Sequence, residues 1–183
     1  MIKNPVKITG SLQEKVKKLL ECSGWYEGRS VDISIVEKHY QKYGLEMMKT
    51  TKRFYKKYFG LCSEWYFTDR NIKRENYFEF GLFPYLQNGI KDNLEEAVFR
   101  DMITRGKEEV EKIAGQNCQP LGVIGYIYPA EVWISEYGKL YAQYEYRDDI
   151  LCFDNIYSLI EEDLKKIDIE YVTMRTLEIL DKM

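Results

Sequence analysis

Gly24-Trp25-Tyr26-Glu27-Gly28-Arg29 stands between two stretches that read as helices. Two glycines, a tryptophan and an arginine within six residues describe a turn. Glycine accepts backbone conformations that other residues resist, and tryptophan can bury on the order of 150–250 Å². Arginine carries donors enough to tie loop carbonyls or a buried acid. No catalytic company accompanies them. Gly24, Trp25, Gly28 and Arg29 therefore read as a structural clasp.

Upstream of the clasp, Ser11 and Glu14 form an S-x-x-E capping box, followed by an apolar stripe of Leu12, Val16, Leu19 and Leu20 that Gly24 stops. Downstream, Ser34 and Glu37 repeat the box and open a short helix ending at Gly44. A third helix is expected over about 46–59. One of its faces carries Met47, Met48, Phe54, Tyr55, Tyr58 and Phe59, and the other Lys49, Lys52, Arg53, Lys56 and Lys57.

Beyond Gly60 the pattern changes. Two short aromatic-rich runs, 64–68 and 76–80, flank a polar stretch and predict a hairpin. Asp92 and Glu95 look like another cap, opening a helical tract that Gly106 breaks or kinks and Gly115 ends. Strands follow at 120–128, 131–136 and 139–146, with a tight turn at Glu136-Tyr137-Gly138-Lys139 and a short strand at 150–153. Asp154 is expected to cap a helix to about 163, and 167–180 to form a last helix with Ile169, Val172, Leu177 and Leu180 apolar. The fold class is α+β: a mainly antiparallel central sheet flanked by helices, with a helical N-terminal third, in one domain over 1–183.

Composition narrows the function. The chain has 183 residues, of which 45% are hydrophobic and 31% charged, a balance that builds a core. The 16 Tyr and 8 Phe supply stiff contact area to cores and binding faces alike. Net charge is only −3, but its distribution is uneven. From Val36 to Gly60 seven cations face two acids, and from Glu145 to Asp163 seven acids face Arg147 alone. Four scattered cysteines and no apolar signal after Met1 predict free thiols in a reducing, cytoplasmic setting. No apolar run approaches the roughly 18–20 residues of a membrane span.

An inventory of chemistry points away from catalysis. His39 is the one histidine, has no marked nucleophile or orienting acid, and reads as an ordinary helix residue. The cysteines have no zinc-ligand spacing. Gly122-Val123-Ile124-Gly125 lacks the Lys-Ser/Thr ending of a phosphate loop. The pairs Asp148-Asp149 and Glu161-Glu162 read as solvated acids rather than a cation site. We expect no catalytic, metal or cofactor residues. The acidic stretch offers a docking face for a basic protein, with Tyr144, Glu145, Tyr146, Asp148, Asp149 and Asp154 as its candidate contacts.

The order of these elements resembles the third subgroup of the SUKH superfamily. The resemblance rests on helix, Gly-Trp-x-x-Gly-Arg, Val31-Asp32-Ile33, a short helix closed by Gly44, and a helix ending Phe59-Gly60-Leu61. It continues through Gly115 to Gly122, with Pro120 and Gly122 marking the approach to the sheet, and through Val132 to Tyr141, a hairpin turning at Gly138. It spans about Leu12 to Leu164. The tract from Lys91 to Ala114 is long for the subgroup, and 165–183 looks like a C-terminal helical extension.

The resemblance implies a bacterial immunity protein that binds and blocks a cognate toxin domain, often a nuclease. Its motif residues are fold residues, and no toxin contact carries over. Two other readings remain: a regulatory scaffold of the same fold, and nucleic-acid binding through the Lys49–Lys57 stripe. The overall acidity and the lack of a base-reading motif weigh against the latter. Self-association is left open.

Overall fold

Ser11 and Glu14 open the first helix reciprocally. The Ser11 amide donates to Glu14 Oε2 at 2.7 Å, and the Glu14 amide donates to Ser11 Oγ at 3.3 Å. The structure, a computed structural model, describes residues 5–61, 63–69, 74–82, 106–126, 128–165, 167, 169 and 171–176. Helix α1 (Leu12–Cys22) buries Val16, Leu19 and Leu20. It closes in a Schellman motif, with Gly24 N–H donating to Glu21 and Trp25 N–H to Leu20 while Gly24 sits at φ 101°.

Helix α2 (Ser34–Lys42) closes in the same way. Gly44 N–H donates to Gln41 and Leu45 N–H to Tyr40. Its expected Ser34–Glu37 capping box does not form. Asp32 takes its place, accepting from the Ser34 amide at 2.9 Å and hydroxyl at 3.0 Å.

Helix α3 (Lys49–Tyr58) starts later than 46 because a side chain from the sheet intervenes. The Gln119 amide accepts from Met48 N–H at 2.9 Å and donates to the Glu46 carbonyl at 2.6 Å. It takes the backbone groups that an earlier helical turn would need. Met48 is left extended, at φ −62° and ψ 155°.

The strands are β1 (Val6–Lys7), β2 (Ser63–Asp69), β3 (Arg74–Leu82), β4 (Cys118–Tyr126), β5 (Ala130–Ser135), β6 (Leu140–Gln143), β7 (Ile150–Phe153) and β8 (Tyr171–Thr176). They form one antiparallel sheet in the order β1-β8-β2-β3-β4-β5-β6-β7. The expected hairpin is β2–β3, and the expected 120–153 strands form a meander. Helices α4 (Lys107–Ala114) and α5 (Ile156–Leu164) complete the described elements.

The C-terminal helical extension is a correction. Of 165–183, residues 171–176 form β8, which pairs with β2 from Ser63↔Thr176 to Phe67↔Val172 and with β1 at Val6↔Val172. Its residues are mostly β-branched or aromatic, and exposed Tyr171 next to buried Val172 follows the two-residue period of a strand. A second correction concerns the last helix cap. Asn155 caps α5, accepting from Ser158 N–H at 3.1 Å, while Asp154 turns to Lys139. The Asp92–Glu95 cap and most of its tract lie outside the described residues. Gly115 ends α4 in the left-handed region at φ 66°.

Alternation on β5 and β6 sorts the core into two layers. Val132, Ile134, Leu140 and Ala142 join α1, α2, α3 and α5 in the main core. Trp133 and its cross-strand partner Tyr141 point to the other face, where they meet Val110 of α4 and Cys118. The strand period thus places helices on both sides of β5.

Candidate partner interface

Of the seven fold-motif residues, Arg29, the Pro120–Gly122 bulge and Gly138 meet α3. Arg29, buried against the clasp, donates to the Lys57 carbonyl at 2.8 Å and the Phe59 carbonyl at 2.7 Å. These are carbonyls at the C-terminal end of α3, where no helical N–H follows and a cation suits the helix dipole. Gly28, at φ 79°, gives the turn its backbone conformation. Trp25 is half-buried, its ring edge-on to Tyr157 of α5 with centroids 5.9 Å apart.

Pro120 and Gly122 act at the middle of α3. The β4–β5 register slips between them, and Gly122 sits at φ 130°. A bulge leaves carbonyls off the ladder. Here buried tyrosines take them up: Tyr40 donates to the Pro120 carbonyl, and Tyr55 to that of Leu121 at 2.8 Å. Burial raises the Tyr40 hydroxyl well above an ordinary phenol, so it stays a donor. One helical turn away, Thr51 donates to Gln119 at 2.7 Å.

Gly138 sits at the N-terminal part of α3. With φ 85° it turns the β5–β6 hairpin, and a β-carbon there would lie 3.8 Å from Thr50. The hairpin is stiffened by Gly138 N–H donating to Ser135 at 2.9 Å and Tyr137 N–H donating to Gln116 at 3.1 Å. Tyr137 is consequently held at its tip, 84% exposed.

With its aromatic side fastened inward, α3 presents cations outward. Lys52 pairs with Glu37 at 3.0 Å. Lys49, Arg53, Lys56 and Lys57 are exposed and have no carboxylate partner among the described residues. Arg53 and Lys57 wall a cleft of about 270 Å³ between α3, the β5–β6 turn and the start of α5. Its floor is Phe54, Ile134, Leu140 and Ile156, with Tyr137 at the rim. Tyr58 also lines it, its hydroxyl pushed up to about 12 by burial and by neighbouring Tyr157.

The acidic stretch does not form one uncompensated face. Tyr144 is 2% exposed and donates to buried Asp163 at 2.9 Å, so it belongs to the core rather than to a contact surface. Asp149 holds Arg147 through two bonds of 2.8 Å, which keep its carboxyl below the usual range. Asp154 pairs with Lys139, and Glu162 with Lys165. Glu145, Tyr146 and Asp148 are the candidates left at the surface with no ion pair among the described residues, Tyr146 tilted against Tyr144. Sequence reasoning missed Tyr137 and the cleft, because only the hairpin's packing against α3 brings them together.

No group of three His, Cys, Asp or Glu is placed to hold a metal among the described residues. His39 falls in α2. The buried Cys118 thiol is pushed up to about 12 by desolvation and by Glu111, which keeps it protonated and unreactive. Cys22, Cys118 and Cys152 form no disulfide among the described residues. No helix among the described residues is long and apolar enough to cross a membrane.

A family model described as SUKH-3 immunity protein matches residues 12–162. The chain belongs to that family. The matched span covers the clasp, all of α3, the bulge and the hairpin, so the expected resemblance is confirmed over most of the chain. No significant match is found among curated proteins or among solved structures. As a SUKH-3 immunity protein its family role is toxin neutralisation.

Proposed function

We propose that this SUKH-3 chain neutralises a cognate toxin domain by binding it and covering the surface with which the toxin meets its substrate. Membership over residues 12–162 carries the reading. The architecture suits it: α3 is fastened at both ends and in the middle, so its outer face is rigid before any partner arrives. A pre-organised face avoids ordering costs on association.

Co-expression is the direct test. The toxin domain encoded beside this gene should arrest growth when expressed alone and spare it when this protein is present. An inactivated copy of the domain should co-elute with it. Arrest that persists in its presence, together with separate elution, would refute neutralisation for that pair.

A further inference from the structure

The cleft between α3 and the β5–β6 turn reads as more than a solvated helix face. Cations in a helix's last turn are favoured by its dipole, which accounts for Lys56 and Lys57. Lys49 has no such account: it lies in a first turn that holds no acid, where positive charge opposes the dipole. Lys49, Arg53 and Lys57 also follow one another at i, i+4 spacing, where like charges destabilise a helix. No acid among the described residues relieves them. This placement works against the helix, so a compensating charge from outside is the natural complement.

The cleft beside them adds shape. At about 270 Å³ it falls below the roughly 300–1,000 Å³ of small-molecule sites and suits one inserted side chain. Phe54, Ile134 and Leu140 make its floor apolar, while Tyr137 stands at the rim on a stiffened turn. Thr50 lines the same cleft, with a buried hydroxyl that has no hydrogen-bond partner among the described residues. Exposed aromatics on rigid supports beside cations are the residue types that anchor protein interfaces.

We propose that this cleft is where the toxin domain docks, and that it takes a carboxylate-bearing segment with one apolar anchor. The anchor enters over Phe54 and Leu140, and its flanking carboxylates meet Arg53 and Lys57. The inference rests on the toxin-binding reading above and reverses the charge expected of the partner from sequence. A protein segment fits better than nucleic acid. The ten residues of α3 offer only about 15 Å of cationic track. Tight phosphate tracking draws on roughly 6–10 contacts.

The experiment is titration calorimetry with the inactivated toxin domain encoded beside this gene, run at about 50 mM and about 200 mM salt. Arg53→Glu/Lys57→Glu should weaken binding on the order of tenfold or more and flatten its salt dependence. Tyr137→Ala should weaken it by about fivefold or more. Glu145→Lys/Asp148→Lys should bind as the native chain does. Arg53→Gln/Lys57→Gln, gentler on folding, should move in the same direction as the reversal.

Native affinity in both Arg53/Lys57 variants would overturn the proposal. So would loss confined to the Glu145/Asp148 variant, which would place a basic partner on the other turn. Binding of single-stranded RNA that depends on Arg53 and Lys57, with toxin binding intact, would overturn it in favour of nucleic acid. Failure of the native chain both to bind and to protect would instead overturn the immunity reading, and this proposal with it.

Discussion

Arg29 ends α3 from outside the helix. Its planar fork reaches two carbonyls, those of Lys57 and Phe59, that no backbone amide of the helix can serve. Hydrogen bonds from a charged donor contribute about 1.5–3 kcal/mol each, and one of these acceptors is buried. Arg29→Ala should therefore cost on the order of 3 kcal/mol, seen as a fall of about 6–12 °C in Tm by calorimetry. Arg29→Lys, whose ammonium lacks the fork, should lose about half of that. Both variants should still bind the toxin domain at low temperature. Normal stability with lost binding would move the clasp from scaffold to contact surface. Residue identity announced this role in the sequence, since glycine, tryptophan and arginine in one turn have few other uses. The two carbonyls it would find were not legible, because they lie nearly thirty residues along the chain.

Elements were most legible where their determinants are local, although Asp32 displaces the equally local Ser34–Glu37 box. The α1 capping box needs only residues three apart, and it forms as read. It also carries a pH signature. Bonds from the Ser11 amide and then its hydroxyl hold the Glu14 carboxyl below its ordinary value. A lowered folded value means the stabilisation is complete above the ordinary carboxylate range and is lost as pH falls through the depressed one. NMR titration should show Glu14 ionising below ordinary glutamates, and Ser11→Ala, which removes the hydroxyl but keeps the amide, should bring it only part of the way back. An unshifted Glu14 in the native chain would show the box is not closed in solution. Where determinants are distant, the reading failed. Gln119 shortens α3 from across the sheet, and Lys139 takes Asp154 away from its helix. Apolar spacing at 167–180 fitted a helix, whereas pairing with Ser63–Phe67 makes its central part a strand. The candidate acidic stretch kept only part of its free charge, since charge along a sequence does not say which charges meet in space.

On the scale of the whole molecule, the family's match and the sheet do not share boundaries. The match runs over 12–162, while β1 ends before it and β8 begins after it. Because β8 lies between β1 and β2, it is an interior strand supplied from the far end of the described chain. A fragment trimmed to 12–162 would keep the clasp, the bulge and the cleft, yet strip β2 of the strand paired with it from Ser63 to Phe67. Such a fragment should elute ahead of the full chain or precipitate on size-exclusion chromatography, since an uncovered edge recruits other strands. A fragment as monodisperse as the full chain would show that β8 is dispensable. Family recognition and edge protection thus reside in different spans of the chain. A chimera cut where the family's signature stops would inherit the docking cleft together with a template for aggregation.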